Sequence, residues 1–177
     1  QDQNKIYSYN ITNQDQELVY ESEQKIVDYQ ITDEYLIVAE EELEAEINTI
    51  SIIDRKSKDV VFTESEKIVN SIDVSSDSKF AAMVYQNSTF DPNLGFLPAD
   101  NPRAYIYSFK DRTLNQIELG IEQEGYLNAW FAPDGSALML KQVTGEYTIV
   151  DWRDSQNYRN LGRHMGFNGF NNSGDRI

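Results

Sequence analysis

Cysteine is absent from all 177 residues, which removes disulfides, thiolate nucleophiles and zinc–thiolate sites in one step. Histidine occurs once, as His164. Basic residues are scarce, with 15 Lys and Arg against 30 Asp and Glu, a formal charge of −15 and a pI near 4.3. Nucleic acid is thereby excluded as a partner class, because binding phosphates needs concentrated basic charge. An anionic membrane surface is disfavoured on the same ground. No run approaches the roughly 18 apolar residues of a spanning helix, so direct membrane insertion is not expected. No basic segment followed by an apolar one opens the chain, and Gln1 in place of Met predicts a processed or excised piece. The acidity itself is accounted for by solubility.

What is present is ordinary for a globular protein, 40% hydrophobic and 12% aromatic, and the length suggests a single domain. The stretch Ala129–Val143 joins two apolar runs through Pro133-Asp134-Gly135. Pro presets φ for a turn, Asp caps it with its side chain and Gly takes φ > 0 without Cβ strain, so a β-hairpin is predicted. Weaker copies follow Ile31, Val74 and Phe170, and with Phe131 the strand ends step by 43, 57 and 39 residues. The long step holds an insertion, Gln86–Arg103. Without its roughly 17 residues the period is about 40, that of a propeller blade of short strands.

Each repeat divides into four strands. Strand a covers 25–31, 68–74, 126–131 and 165–170, strand b follows the turn, and strand c covers 46–53, 104–109 and 145–152. A polar turn then leads to strand d. Period-two alternation with β-branched and aromatic residues favours strand over helix. Ala39–Ala45 is built from helix formers but is short and sits between strands b and c, so it reads as an acidic loop or hairpin tip. Residues 5–20 look like strands c and d alone, and 165–177 like strand a and the start of b. The expectation is an all-β propeller of four-stranded antiparallel blades. Three blades (25–63, 68–119 and 126–161) would be complete, flanked by half blades at 1–20 and 165–177. Either the chain is part of a longer propeller, or its halves pair to close a four-bladed ring.

The hairpin Phe131-Ala132-Pro133-Asp134-Gly135-Ser136-Ala137-Leu138 resembles the blade signature of TolB-like propellers, distant relatives of WD-repeat proteins: an aromatic, Ser-Pro-Asp-Gly, two variable residues and an apolar strand. The Phe170 copy has Asn172 and Ser173 for Pro and Asp but keeps Gly174. The Val74 copy keeps Asp77 with Ser78 for Gly, and the Ile31 copy is a residue shorter with neither Pro nor Gly. Similar repeats occur in the propellers of prolyl-oligopeptidase and dipeptidyl-peptidase relatives. The resemblance implies the fold and, by analogy with TolB-like proteins, an extracytoplasmic location. Fold does not by itself imply function.

No catalytic residues are assigned. His164 opens the last strand a, and no Gly-x-Ser-x-Gly elbow accompanies it. Glu40, Glu41, Glu42, Glu44 and Glu46 form a dense acidic run, but it lacks the Asp/Asn and Gly spacing of a calcium loop and reads as a solvated loop. Asp77, Asp134 and Asp175 sit at turns that their side chains cap. No metal or other cofactor is expected. The sequons at Asn10, Asn87 and Asn171 matter only in a eukaryotic secreted protein. The insertion stands out, because long loops in compact domains are disproportionately functional. Phe90, Asp91, Leu94, Phe96 and Leu97 lie in it, and its apolar members must either tuck onto a blade or meet a partner. In a propeller the loops between strands b and c open on one face. The expected binding surface is therefore this insertion together with Glu41, Glu42 and Glu44, and its partner a protein or peptide. The leading expectation is a non-enzymatic binding or scaffold module. The alternative is the propeller of a prolyl-oligopeptidase-like peptidase whose catalytic domain is absent from this chain. A sugar- or calcium-binding lectin-like propeller is a third reading.

Overall fold

Among the described residues the alternating apolar pattern becomes strand. A computed structural model describes residues 3–42, 47–119, 125–154 and 156–163, and fourteen strands occur among them. They are β1 (Lys5–Tyr9), β2 (Gln16–Glu21), β3 (Lys25–Ile31), β4 (Tyr35–Glu41), β5 (Asn48–Asp54), β6 (Val60–Val74), β7 (Phe80–Asp91), β8 (Gly95–Pro98), β9 (Arg103–Ser108), β10 (Thr113–Gln116), β11 (Tyr126–Phe131), β12 (Leu138–Gln142), β13 (Tyr147–Val150) and β14 (Tyr158–Gly162). All pairings are antiparallel. β1 and β2 form a two-stranded sheet, β11 to β14 a four-stranded one, and the rest one eight-stranded sheet in the order β10-β9-β7-β6-β5-β4-β3 with β8 beside β7.

The large sheet is two blades that share β6. Its first part pairs with β5 as the outer strand of one blade, and Lys67 to Val74 pair with β7 as the inner strand of the next. Sequence patterning separates these at 63 and 68. The structure instead runs them through, with the register slipping between Asn48 and Ile50 opposite and Glu66 at φ 55°. The hairpin at Pro133–Gly135 forms as expected: the N–H of Gly135 donates to the C=O of Ala132, Asp134 Oδ1 accepts the Ser136 N–H, and Gly135 takes φ 68°. The Phe170 hairpin, the last strand a and His164 lie outside the described residues.

Strand b of each blade is buried on both faces, which its unbroken apolar runs require. In β4, Ile37 and Ala39 face the next blade while Leu36 and Val38 pack with Ile6, Ile53 and the β1–β2 sheet. In β7, Ala81, Met83 and Tyr85 face the first blade, and Ala82 and Val84 face Phe131, Leu138 and Leu140 of the third. The hydrophobic core is thus a series of layers between successive blades rather than one central mass.

The inner strands carry a second device. Each has a bulge four residues before its end, at Val27, Asn70 and Leu127, and in the first two the next residue turns a polar side chain toward the following blade. Asp28 Oδ2 accepts the Ile72 N–H at 3.0 Å, and Ser71 Oγ, in the same repeat position, accepts the Ala129 N–H at 3.2 Å. Gln30 donates to the Ile72 C=O, Asn70 donates to the Tyr126 C=O, and Asp73 accepts the Phe131 N–H at 2.7 Å. Side chains of one inner strand satisfy the free backbone edge of the next, which would otherwise be buried without partners. Burial pushes the carboxyls of Asp28 and Asp73 above their ordinary range, and the charge of Asp28 adds to the effect on Asp73.

Candidate functional site

The expected insertion is not a loop. β7 continues past the blade, turns at residues 92–94 and returns as β8, so that 88–98 form a two-stranded arm pairing Ser88 with Pro98, Thr89 with Leu97, Phe90 with Phe96 and Asp91 with Gly95. The reason is local. Thr89, Phe90 and Phe96 are good strand formers, and Asp91 caps the turn by accepting the N–H groups of Asn93 and Leu94 at 2.8 and 3.0 Å.

The root of the arm is clamped by polar groups. Asn87 gives its N–H and its side-chain amide to the two carboxylate oxygens of Asp100, at 2.9 and 2.6 Å. Its side-chain oxygen accepts Lys67 Nζ at 2.8 Å, and that ammonium also pairs with Glu64 at 3.1 Å. It lies over the Tyr85 ring at 5.7 Å as well. Ser88 Oγ donates to the C=O of Glu66, and the Ala99 N–H to the C=O of Asn87. Beneath this network Tyr85 and Tyr105 stack at 4.2 Å, and burial pushes both phenols up. The adjoining turn is equally tight: the Tyr126 N–H donates to the Pro102 C=O, and at Gly125 (φ 115°) an added Cβ would lie 2.8 Å from Pro102 Cδ.

The tip is bare. Phe90 is 63% exposed and Leu94 72%, while Phe96 and Leu97 are half-buried. Phe90 and Phe96 meet edge to face at 5.3 Å across the hairpin. The two rings meet one another, and neither belongs to the packed layers between the described blades. What the arm offers is apolar surface and backbone above a hydrogen-bonded root.

Glu41 and Glu42 lie at the same end of the large sheet as the arm, because Glu41 pairs with Asn48, Asn48 with Lys67 and Lys67 with Asn87. Three strand spacings, roughly 14 Å, separate β4 from β7, so they share an edge without touching. Both acids are engaged within the chain, Glu41 with Lys25 and Glu42 with the Thr49 hydroxyl at 2.6 Å. Glu40 is buried and accepts the Tyr20 hydroxyl at 3.0 Å; burial first, and that carboxylate second, push the Tyr20 phenol up to about 12. Glu44 lies outside the described residues. The turn at 143–146 opens at the same end, its Val143 N–H donating to the C=O of Gly125.

Sequence reasoning missed the root residues Lys67, Asn87 and Asp100, whose roles depend on strands meeting across blades. It also missed a cleft of about 400 Å³ at the opposite end, between the second and third blades, lined by Phe80, Ile106, Asp111, Trp152 and Arg153 among others. There the indole N–H of Trp152 and the guanidinium of Arg153 both donate to the C=O of Gly135, with the guanidinium stacked 4.1 Å from the ring. Among the described residues no three His, Asp or Glu side chains are grouped to hold a metal ion, and no helix is long and apolar enough to cross a membrane.

No protein-family model and no curated protein matches the chain. Solved structures do. The WD40 domain of Neurospora crassa Pan2 superposes with a TM-score of 0.62 at 13% identity, over 89% of this chain and 46% of that one. The Dos1 propeller gives 0.62 at 9% identity, over 93% and 44%. A structure from an analysis of two prolyl endopeptidases gives 0.65 at 14% identity, over 93% and 27%. The chain spans less than half the length of each of these. The likeness establishes a β-propeller fold of WD40-like repeats.

Proposed function

We propose that the chain is a non-enzymatic propeller module that binds a protein or peptide through the β7–β8 arm. One observation carries this: a bare apolar tip, Phe90 and Leu94, stands on a root held by the Lys67–Asn87–Asp100 network. An exposed apolar group costs nothing in folding when it is lost, whereas a preorganised one spends little entropy on docking. Glu41, Glu42 and Glu44 would flank the partner at the same end of the sheet. The test compares the wild-type chain with a Phe90→Ser, Leu94→Ser double variant. Equal melting temperatures with partner capture lost in the variant are expected, and equal capture by both would sink the proposal. We also propose an extracytoplasmic location, supported by the TolB-like residues at Phe131–Leu138; recovery of the native protein in a cytoplasmic fraction would overturn it.

The likeness to a prolyl endopeptidase structure favours a second reading, a propeller that gates access to a peptidase domain. A Gly-x-Ser-x-Gly elbow encoded in the same gene product would support it, and a gene product without one would remove it.

A further inference from the structure

The arm leaves strand edges open, and their hydrogen-bonding phase can be worked out. The Ala99 N–H donates to the C=O of Asn87, so that rung is a hydrogen-bonded one, and antiparallel rungs alternate. Thr89/Leu97 and Asp91/Gly95 are then bonded rungs, and Phe90/Phe96 is a non-bonded rung. Side chains approach more closely on such a rung, in keeping with the 5.3 Å between the two rings. The backbone N–H and C=O of a non-bonded rung point away from the partner strand. Among the described residues β8 pairs with β7 alone, so the N–H and C=O of Phe96 and the C=O of Pro98 face outward along its free edge. The exposed aromatic pair lies beside them.

We propose that this edge receives an extended, basic segment of a partner protein as an added β-strand, its main chain bonding to Phe96 and Pro98 and its apolar side chains meeting Phe90 and Leu94. Strand addition takes affinity from the main chain and specificity from alternate side chains. The charge of the partner follows from the surroundings. The arm and its root carry Glu64, Glu66, Asp91 and Asp100 against Lys67 and Arg103, and Lys67 is already paired with Glu64. A second copy of the chain is the other natural donor of a strand, but two bodies of charge −15 repel. The proposal rests on the reading of the arm as the docking element and adds the mode of docking and the sign of the partner.

The probe is a fluorescein-labelled octapeptide alternating Lys and Val, titrated with the full chain and followed by anisotropy. Saturable binding is expected, weakened at high ionic strength, with no binding of the Glu–Val counterpart. N-methylation of alternate backbone amides should weaken the Lys–Val peptide by about tenfold or more, the loss expected when main-chain hydrogen bonds cannot form. Phe96→Ala and Phe96→Pro both remove the ring, but only proline removes the N–H, so the proline variant should bind about tenfold more weakly than the alanine variant. Should Phe96→Pro fail to fold, the N-methylated peptide decides. Equal binding of methylated and unmethylated peptides overturns strand addition while leaving the arm as a docking element. Undiminished binding to the Phe90→Ser, Leu94→Ser variant overturns the arm itself. Failure of the Lys–Val peptide to bind overturns the proposal, as does an arm-dependent dimer in sedimentation, which would assign the edge to a second copy.

Discussion

Strand β7 has two halves, one apolar throughout and one mostly polar, with opposite surroundings. From Phe80 to Tyr85 it alternates apolar side chains between two neighbouring blades, and Met83 and Val84 have no exposed surface at all. From Ser88 to Asp91 the strand is mostly polar, and its single apolar residue, Phe90, is 63% exposed. The inner half has β6 on one edge and β9 on the other, with sheets packed on both faces. Among the described residues the outer half has only β8 as a ladder partner. The two halves differ in composition as well as in cover, and Phe90 shows that an apolar residue of this strand is buried or exposed according to what lies beside it.

The sharpest way to test the contrast is to remove mass from the covered half. Met83→Ala should cost about 2–5 kcal/mol in urea unfolding, since the surrounding layer can only partly collapse around the lost side chain; a cost below about 1 kcal/mol would mean that the inner half is not packed as described. Next in size is Gly125→Ala at the junction between the arm's return and the third blade. The added methyl meets Pro102 at 2.8 Å with φ at 115°, and a loss of about 1–3 kcal/mol is expected. An unchanged urea midpoint would show that this junction yields freely.

Asp73, paired across the ladder with Ala82 in the covered half of β7, gives a smaller, pH-dependent effect. Its carboxyl is raised by burial and by Asp28, so its ionised form disfavours the folded state. Its contribution is therefore most favourable below the ordinary carboxylate pKa and is lost as pH rises through the raised folded value. Asp73→Asn keeps an acceptor for the Phe131 N–H without the charge. The variant should match or exceed the wild type in stability at neutral pH, and the difference should shrink as the solution is made acidic. A wild-type advantage at neutral pH that grows with pH would contradict this. The smallest effect belongs to the bare half: Leu94→Ser should shift stability by no more than about 0.5 kcal/mol, and a larger loss would place the tip in a packed environment.

Much of the architecture was legible. The strand a run at 25–31 and the hairpin at Pro133–Gly135 appear where alternation and turn chemistry put them, and the strand b run at 35–40 does too, though it continues through Glu41 of the expected acidic loop. The two-faced burial of strand b could be read from Leu36–Ala39 and Ala81–Tyr85, since only a strand covered on both sides carries such runs. Polar residues set three from the end of strand a, Asp28 and Ser71, were a readable sign of the links between blades, once their place in the repeat was noticed. The arm was located but taken for a loop, because Pro, Asn and Gly around Phe90 and Phe96 mask a short alternating hairpin. Its root was illegible: Lys67, Asn87 and Asp100 lie up to 33 residues apart and meet only because β6 and β7 pair in one particular register.

What the amino-acid order determined by itself is local and periodic: strand rather than helix, the turns, the repeat of about 40 residues and an acidic surface. These follow from side-chain alternation and from the backbone preferences of Pro, Asp and Gly, which need no distant partner. Tertiary structure alone decided that Phe90 and Leu94 stay uncovered, which backbone groups the inner-strand side chains bond and where a strand is left open. Those outcomes depend on which blade lies beside which, and so on contacts between residues that the chain keeps far apart.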